Sequence, residues 1–373
     1  MDELFEKERK ARIDGNILEL ETIQLEIVKS CKSEDELIQC LRSLINKRKQ
    51  EQDCIKKLIR IVFQEHKQIN FLKNLLSRVI EGRIYLEDER IDICETLKHL
   101  FGNNISESYE VVKDVPVETF TSISEKKRSH FLFEQIRLSL LLHKLEDAEL
   151  FIRKVRKGYL ETCDKITFLN YCILLRVGQN SFLEASKLFF ELNEIDESKR
   201  HITLGSLYCI MSSCLTENKN VSIDKKDLLI KFYEFKNNDE SMRSYLKKFC
   251  TDIIIDFNMI EKVQSCVSKY DVIPSSDFLF KSIIEHNFFV VSKFFSKIKI
   301  DQAVSLLNIN ESDLIDFISE MVNEKYSVAK INQKDRIIFF ENKIWNNKVS
   351  KVLEKLVSAS YLIHKETLEE ISN

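Results

Sequence analysis

Residues 283–340 read IIEHNFFVVSKFFSKIKIDQAVSLLNINESDLIDFISEMVNEKYSVAKINQKDRIIFF, and the spacing of their apolar residues decides the fold. Ile284, Phe288, Val291, Phe295 and Ile298 alternate steps of four and three, the signature of one face of an amphipathic helix. A short helix over 301–307 follows. Asn310 then stands as an N-cap, with Asp313 three positions on, and opens a helix that buries Leu314, Phe317, Ile318 and Met321. YSVAKI and RIIFF are two β-rich runs joined by the turn residues NQKD, which reads as a hairpin. Three helices and a hairpin within 281–340 make a winged-helix unit, a variant of the helix-turn-helix.

Downstream, Trp345, Val349, Val352, Leu356, Ala359 and Ile363 trace one stripe of a long terminal helix with an apolar seam that needs a partner. Upstream, helical signals come in pairs. Residues 124–143 and 146–157 form one, residues 161–177 and 181–193 another, and 197–216 begins a third. Gly158 and Gly178 fall at helix ends, where a left-handed backbone suits glycine. Ala185 is a small residue among large ones, as a close helix crossing requires. The spacing is near the ~34 residues of tetratricopeptide-like repeats, so a helical solenoid without a kept consensus is expected. Residues 102–120, with one of the two prolines, read as a connection. Within residues 1–101, Ile55, Leu58, Ile59, Val62, Ile69, Leu72, Leu76 and Val79 share one narrow stripe on a long, otherwise polar helix. That pattern suits an extended arm better than a globular core.

The expected fold is therefore mainly α: an N-terminal helical arm (1–101), a right-handed, tetratricopeptide-like solenoid (102–275), a winged helix (276–340) and a terminal helix (341–373). Composition agrees. The 373 residues include only 6 Gly and 2 Pro, too few turn formers for a sheet-rich fold.

The same residues exclude several functions. With 57 Lys+Arg against 60 Asp+Glu the net charge is -3, unsuited to neutralising many phosphates. The second-to-third helix region of a DNA-reading winged helix presents cations or amides to bases, yet 311–324, ESDLIDFISEMVNE, carries five acids and neither Lys nor Arg. The unit reads instead as a protein–protein module using its hairpin edge, or as a hairpin that merely closes its own domain. No two glycines are close enough for a phosphate-cradling loop. Cys209 and Cys214 lack a second ligand pair, so zinc is not implied, and they read as small apolar residues. The seven histidines show neither HxxxH nor HxH, and no signature flanks a Cys–His nucleophile pair. No cofactor is expected. MDELFEKERKAR lacks the apolar core of a signal peptide, no stretch is apolar enough to span a membrane, and ten scattered cysteines suit a reducing compartment, cytosol or nucleus.

A helical solenoid, a winged helix and a terminal helix in this order resemble PCI-domain proteins, the scaffolds of the proteasome lid, the COP9 signalosome and translation initiation factor 3. EGRIYLEDER (81–90), VETFTSISEKKRSHFLFEQIRLSLLLHKLEDAELFIRKV (117–155), residues 283–322 and SYLIHKETLEE (360–370) narrow the resemblance to one family: 26S proteasome non-ATPase regulatory subunit 12. The resemblance implies a non-catalytic scaffold in ubiquitin-dependent degradation, in cytoplasm and nucleus. Its winged helix would associate with those of other lid PCI subunits and its terminal helix would join a common bundle. Its arm would reach the ATPase ring, the core particle and the lid's deubiquitinating metalloprotease subunit, with no nucleic acid or membrane involved. The alternative is the equivalent PCI subunit of the COP9 signalosome. Candidate interface residues are the seam Trp345, Val349, Val352, Leu356 and Ile363, and the wing residues Val328, Ile331, Ile337 and Phe339.

Overall fold

The computed structural model of the chain describes residues 2–213, 221–270, 272, 274–324, 326–327, 329–340 and 355. Two compact units are present, Met1–Gly178 and Gln179–Asn373, dividing inside the segment expected to be a single solenoid.

The first unit contains α1 (Asp2–Asp14), α2 (Ile17–Ser30), α3 (Glu34–Ile45), α4 (Gln52–Glu65), α5 (Ile69–Leu75), α6 (Glu87–Phe101), α7 (Ile105–Val112), α8 (Glu125–Leu141), α9 (Leu145–Lys154) and α10 (Thr162–Gly178). Short polar residues start these helices. Ser33 Oγ accepts the N–H of Glu36, whose carboxylate accepts that of Lys32, and Ser124 Oγ accepts from Lys127 at the start of α8.

The stripe from Ile55 to Val79 is buried as expected, but it is not one helix and it does not lie along an arm. The backbone breaks at His66 (φ -111°, ψ 94°) and α5 restarts after the extended Gln68. Helix α4 packs against both α2 and α6. Its Ile55, Leu58, Ile59 and Val62 join Leu41, Leu44, Phe71, Leu72 and Leu97 in one hydrophobic cluster. A narrow stripe by itself suits a single neighbour, whereas several narrow stripes converge here on one core. The expected connection 102–120 likewise contains α7, which buries Tyr109 and Val112.

Helices α8 and α9 form the expected hairpin, turned by a left-handed His143 (φ 55°). Helix α10 packs back on α8 and α9. Gly178 is not left-handed; Asn180 (φ 58°) fills that role. At Gly178 a Cβ would lie 3.0 Å from Leu145 Cδ2, so what glycine permits there is close helix approach.

The second unit contains α11 (Phe182–Ile195), α12 (Lys199–Met211), α13 (Val221–Glu234), α14 (Glu240–Cys250), α15 (Asn258–Val267), α16 (Ser276–Phe294), β1 (Lys297–Lys299), α17 (Ile300–Leu307), α18 (Glu311–Asn323), β2 (Ala329–Asn332) and β3 (Ile337–Phe340). The α11–α12 crossing is tight. Ala185 is fully buried, Ser186 Oγ donates to the Gly205 carbonyl at 2.9 Å, and a Cβ on Gly205 would sit 2.8 Å from the Phe232 ring.

The expected hairpin is two strands of a three-stranded antiparallel sheet ordered β1-β3-β2. Strand β1 was hidden because Ile298 continues the four-three spacing of α16 and also alternates correctly between Lys297 and Lys299. Helix α16 in fact ends at Phe294, and Phe295 is already extended.

Candidate assembly surfaces

The winged-helix unit is built on Phe288. Its ring meets Phe317 and Phe340 edge-on at centroid distances of 5.4 and 5.6 Å, and α16, α18 and β3 are thereby fixed to one another. In the sheet, Ile298 and Ile331 lie opposite Ile338 from either side, forming an inner row over the helices. Because side chains alternate along a strand, the rows on either side of this one face outward. One outward row is Lys297–Phe339–Lys330, with Phe339 39% exposed. The other is Lys299–Ile337–Asn332, with Ile337 half-buried.

These positions revise the wing expectation. Ile337 and Phe339 belong to the central strand, whose two edges are both paired, so β3 offers no free edge. Ile331 packs on the unit's own core. Among the described wing residues, Phe339 is the exposed one. Val328, Trp345, Val349, Val352, Leu356 and Ile363 lie outside the described residues. Sequence reasoning passed over Phe294, 68% exposed at the end of α16, because it lies off the four-three stripe. It also passed over Arg336. That residue holds a left-handed backbone (φ 53°) at the end of the wing turn, and its guanidinium binds Asp301 and Glu311, each at 2.8 Å. The two carboxylates stabilise the cation further. Glu311 thus has a local partner, while the first turn of α18 still carries Asp313.

In the first unit the stretches 81–90 and 117–155 meet through charge. Buried Glu87 accepts the backbone N–H groups of Thr121 and Ser122 at 2.9 and 3.1 Å and the Ser122 hydroxyl at 2.9 Å. Lys127 binds Asp88 and Asp92, each at 2.5 Å. These two stretches therefore specify how α6 joins the start of α8, a task of architecture.

The titratable groups point the same way. Burial pushes the Cys40 and Cys94 thiols up to about 12, which keeps both protonated at neutral pH. Cys209 is buried in α12, and Cys214 lies outside the described residues. Burial lowers His286 to about 4. Its Nε2 is 3.0 Å from the Ile253 carbonyl, which can only accept, so the neutral ring carries its proton there. Among the described residues no group of His, Cys, Asp and Glu could hold a metal ion, and no helix is long and apolar enough to cross a membrane.

Comparison with known proteins places this architecture. The PSMD12/CSN4 N-terminal family matches residues 1–200. The chain belongs to the PSMD12/CSN4 family. A PCI domain matches residues 246–342, which starts in α14, before the winged helix proper. Among relatives of this PSMD12/CSN4 chain, 26S proteasome regulatory subunit RPN5 of Saccharomyces cerevisiae is 24% identical, with 99% of this chain and 91% of the relative aligned. 26S proteasome non-ATPase regulatory subunit 12 homolog A of Arabidopsis thaliana is 24% identical over 99% of this chain and 96% of its own. COP9 signalosome complex subunit 4 of Dictyostelium discoideum is 21% identical over 72% and 70%.

Proposed function

We propose that the chain is a non-catalytic scaffold subunit of the lid of the 26S proteasome regulatory particle, supporting ubiquitin-dependent protein degradation in cytoplasm and nucleus. The observation that carries this reading is the extent of the likeness: some proteasome regulatory subunits align with 99% of the chain and others with 79–81%, whereas COP9 subunits align with 69–72%. The chemistry supports it, since the Cys40 and Cys94 thiols are protonated, Glu87 is spent on Thr121 and Ser122, and Lys127 on Asp88 and Asp92.

Its partners would be the other lid PCI subunits, met through the Phe339 row of the sheet and through the terminal segment 341–373. The first unit would serve the ATPase ring, the core particle and the deubiquitinating metalloprotease subunit. Burying an aromatic side chain contributes about 1.5–3 kcal/mol before the cost of ordering, so a few anchors suffice for stable incorporation.

The test is native affinity purification of the tagged full-length chain, read by mass spectrometry. Lid and ATPase subunits are expected in stoichiometric amounts, and a chain lacking residues 345–373 should lose them. Recovery of COP9 subunits without ATPase subunits favours the second reading, for which the shared PSMD12/CSN4 match leaves room. Recovery of the chain alone overturns both.

A further inference from the structure

A cavity of about 420 Å³ lies within the second unit, walled by α13, α14 and α16 and bounded by Tyr326 from the stretch that leads into β2. That volume falls in the range that admits a small organic molecule. The apolar part of the wall is Leu229, Phe249, Phe289 and Val290.

The charges around it are unequal. Lys225 is 8% exposed, and its ammonium donates to the Ser212 carbonyl at 2.5 Å and the Ser282 hydroxyl at 2.9 Å. These neutral acceptors satisfy its hydrogen bonds and leave its charge in place. Lys293 is ion-paired with Asp252, and Glu285 accepts the Ser213 hydroxyl. Lys226 stands exposed on the wall. His286 is neutral and contributes no charge. Among the described residues of the wall the lysines (225, 226, 293) outnumber the carboxylates (252, 285) by one, and Lys225 is buried where reduced dielectric makes a charge felt strongly.

Such a wall discriminates among guests. A cation meets net repulsion, a multiply charged anion finds too few countercharges, and a neutral apolar molecule forgoes the lysines. We propose that this cavity binds a small amphipathic monoanion, an aromatic or aliphatic acid. Its apolar body packs against Leu229, Phe249, Phe289 and Val290, and its acid group turns toward Lys226 and Lys225. The guest ties α13 and α14 to α16 and to Tyr326, so occupancy stiffens the helical layer against the winged helix. This inference stands apart from the assembly reading and needs no partner subunit.

The test uses the full-length chain and two fluorescent probes of similar bulk, anionic 8-anilinonaphthalene-1-sulfonate and neutral N-phenyl-1-naphthylamine. Saturable binding of the sulfonate with one-to-one stoichiometry is expected. Lys226→Glu, at an exposed position, should keep the native circular dichroism and melting temperature. It should weaken the sulfonate about ten-fold and change the neutral probe less than about two-fold. Leu229→Trp, which fills the cavity, should remove both probes. Val290→Met is the milder substitute if that variant does not fold, and should weaken both. Non-saturable binding of the sulfonate, equal binding by Lys226→Glu, or binding undiminished in the filled cavity overturns the proposal.

Discussion

The cluster between Ala11 and Leu97 and the winged-helix unit start from similar apolar content and finish differently. In the first, helices meet from several sides, and residues such as Leu41, Phe71 and Leu72 are essentially excluded from water. What it leaves exposed sits between helices, with Ile13, Ile17 and Leu18 where α1 gives way to α2 and Ile84 just before α6. In the second, helices cover one face of a small sheet and nothing among the described residues covers the other. In the inner row Ile298 and Ile338 are therefore buried and Ile331 partly so, while Phe339, one residue along, is exposed. An antiparallel sheet can be finished on one side only, and its second face is where unspent apolar surface collects. The comparison separates residues that hold the protein together from residues left open to solvent, which are the ones free to serve the proposed contacts.

The strongest way to break this contrast is to remove one aromatic from each core. Phe71→Ala and Phe288→Ala should each cost about 3–5 kcal/mol. In scanning calorimetry each should lower the transition of its own unit and leave the other in place. If both variants shift the same transition, the two cores are not separate.

A pH titration sharpens it next. His286 is held at about 4 against an ordinary 6.5, so the unfolded chain binds its proton first as pH falls. Its contribution is complete above about pH 6.5 and lost on the way down to about pH 4, up to ~3 kcal/mol. The second unit's urea midpoint should fall across that window, and His286→Gln should flatten the slope. Glu87→Gln should then destabilise the first unit by about 1.5–3 kcal/mol, since a charged acceptor of several hydrogen bonds becomes a neutral one. The smallest effect on stability belongs to Phe339→Asp, within about 0.5 kcal/mol because the site is already wet. Co-purification should nonetheless fail in that variant, and intact incorporation would remove Phe339 from the interface.

Much of this contrast was legible in the sequence wherever one periodicity had one meaning. The helices carrying Phe288 and Leu314 could be read directly, as could the α8–α9 hairpin. Strand β1 could not, because Ile298 satisfies periods of 3.6 and 2 at once. The break at His66 has neither glycine nor proline to announce it, and α10 could not reveal that it folds back, since an apolar stripe does not name its neighbour. In the small sheet, alternation told inner from outer residues, but the pairing of β1 with β3 was needed to show that Phe339 stands mid-sheet between two lysines. The contacts of Lys127 with Asp88 and Asp92 span 35 or more positions and became visible only in three dimensions.

Arg336 has a last consequence. A non-glycine residue in the left-handed region is strained, at a cost of about 1–3 kcal/mol. Here the same side chain reaches across to the first residues of two helices, so the wing tip resembles a latch under tension with electrostatic fingers. Concentrated salt loosens exposed ion pairs without touching the sheet's greasy underside. The tip's amides should therefore trade hydrogen for deuterium sooner in molar sodium chloride than in dilute buffer, while those of Ile338 keep their pace.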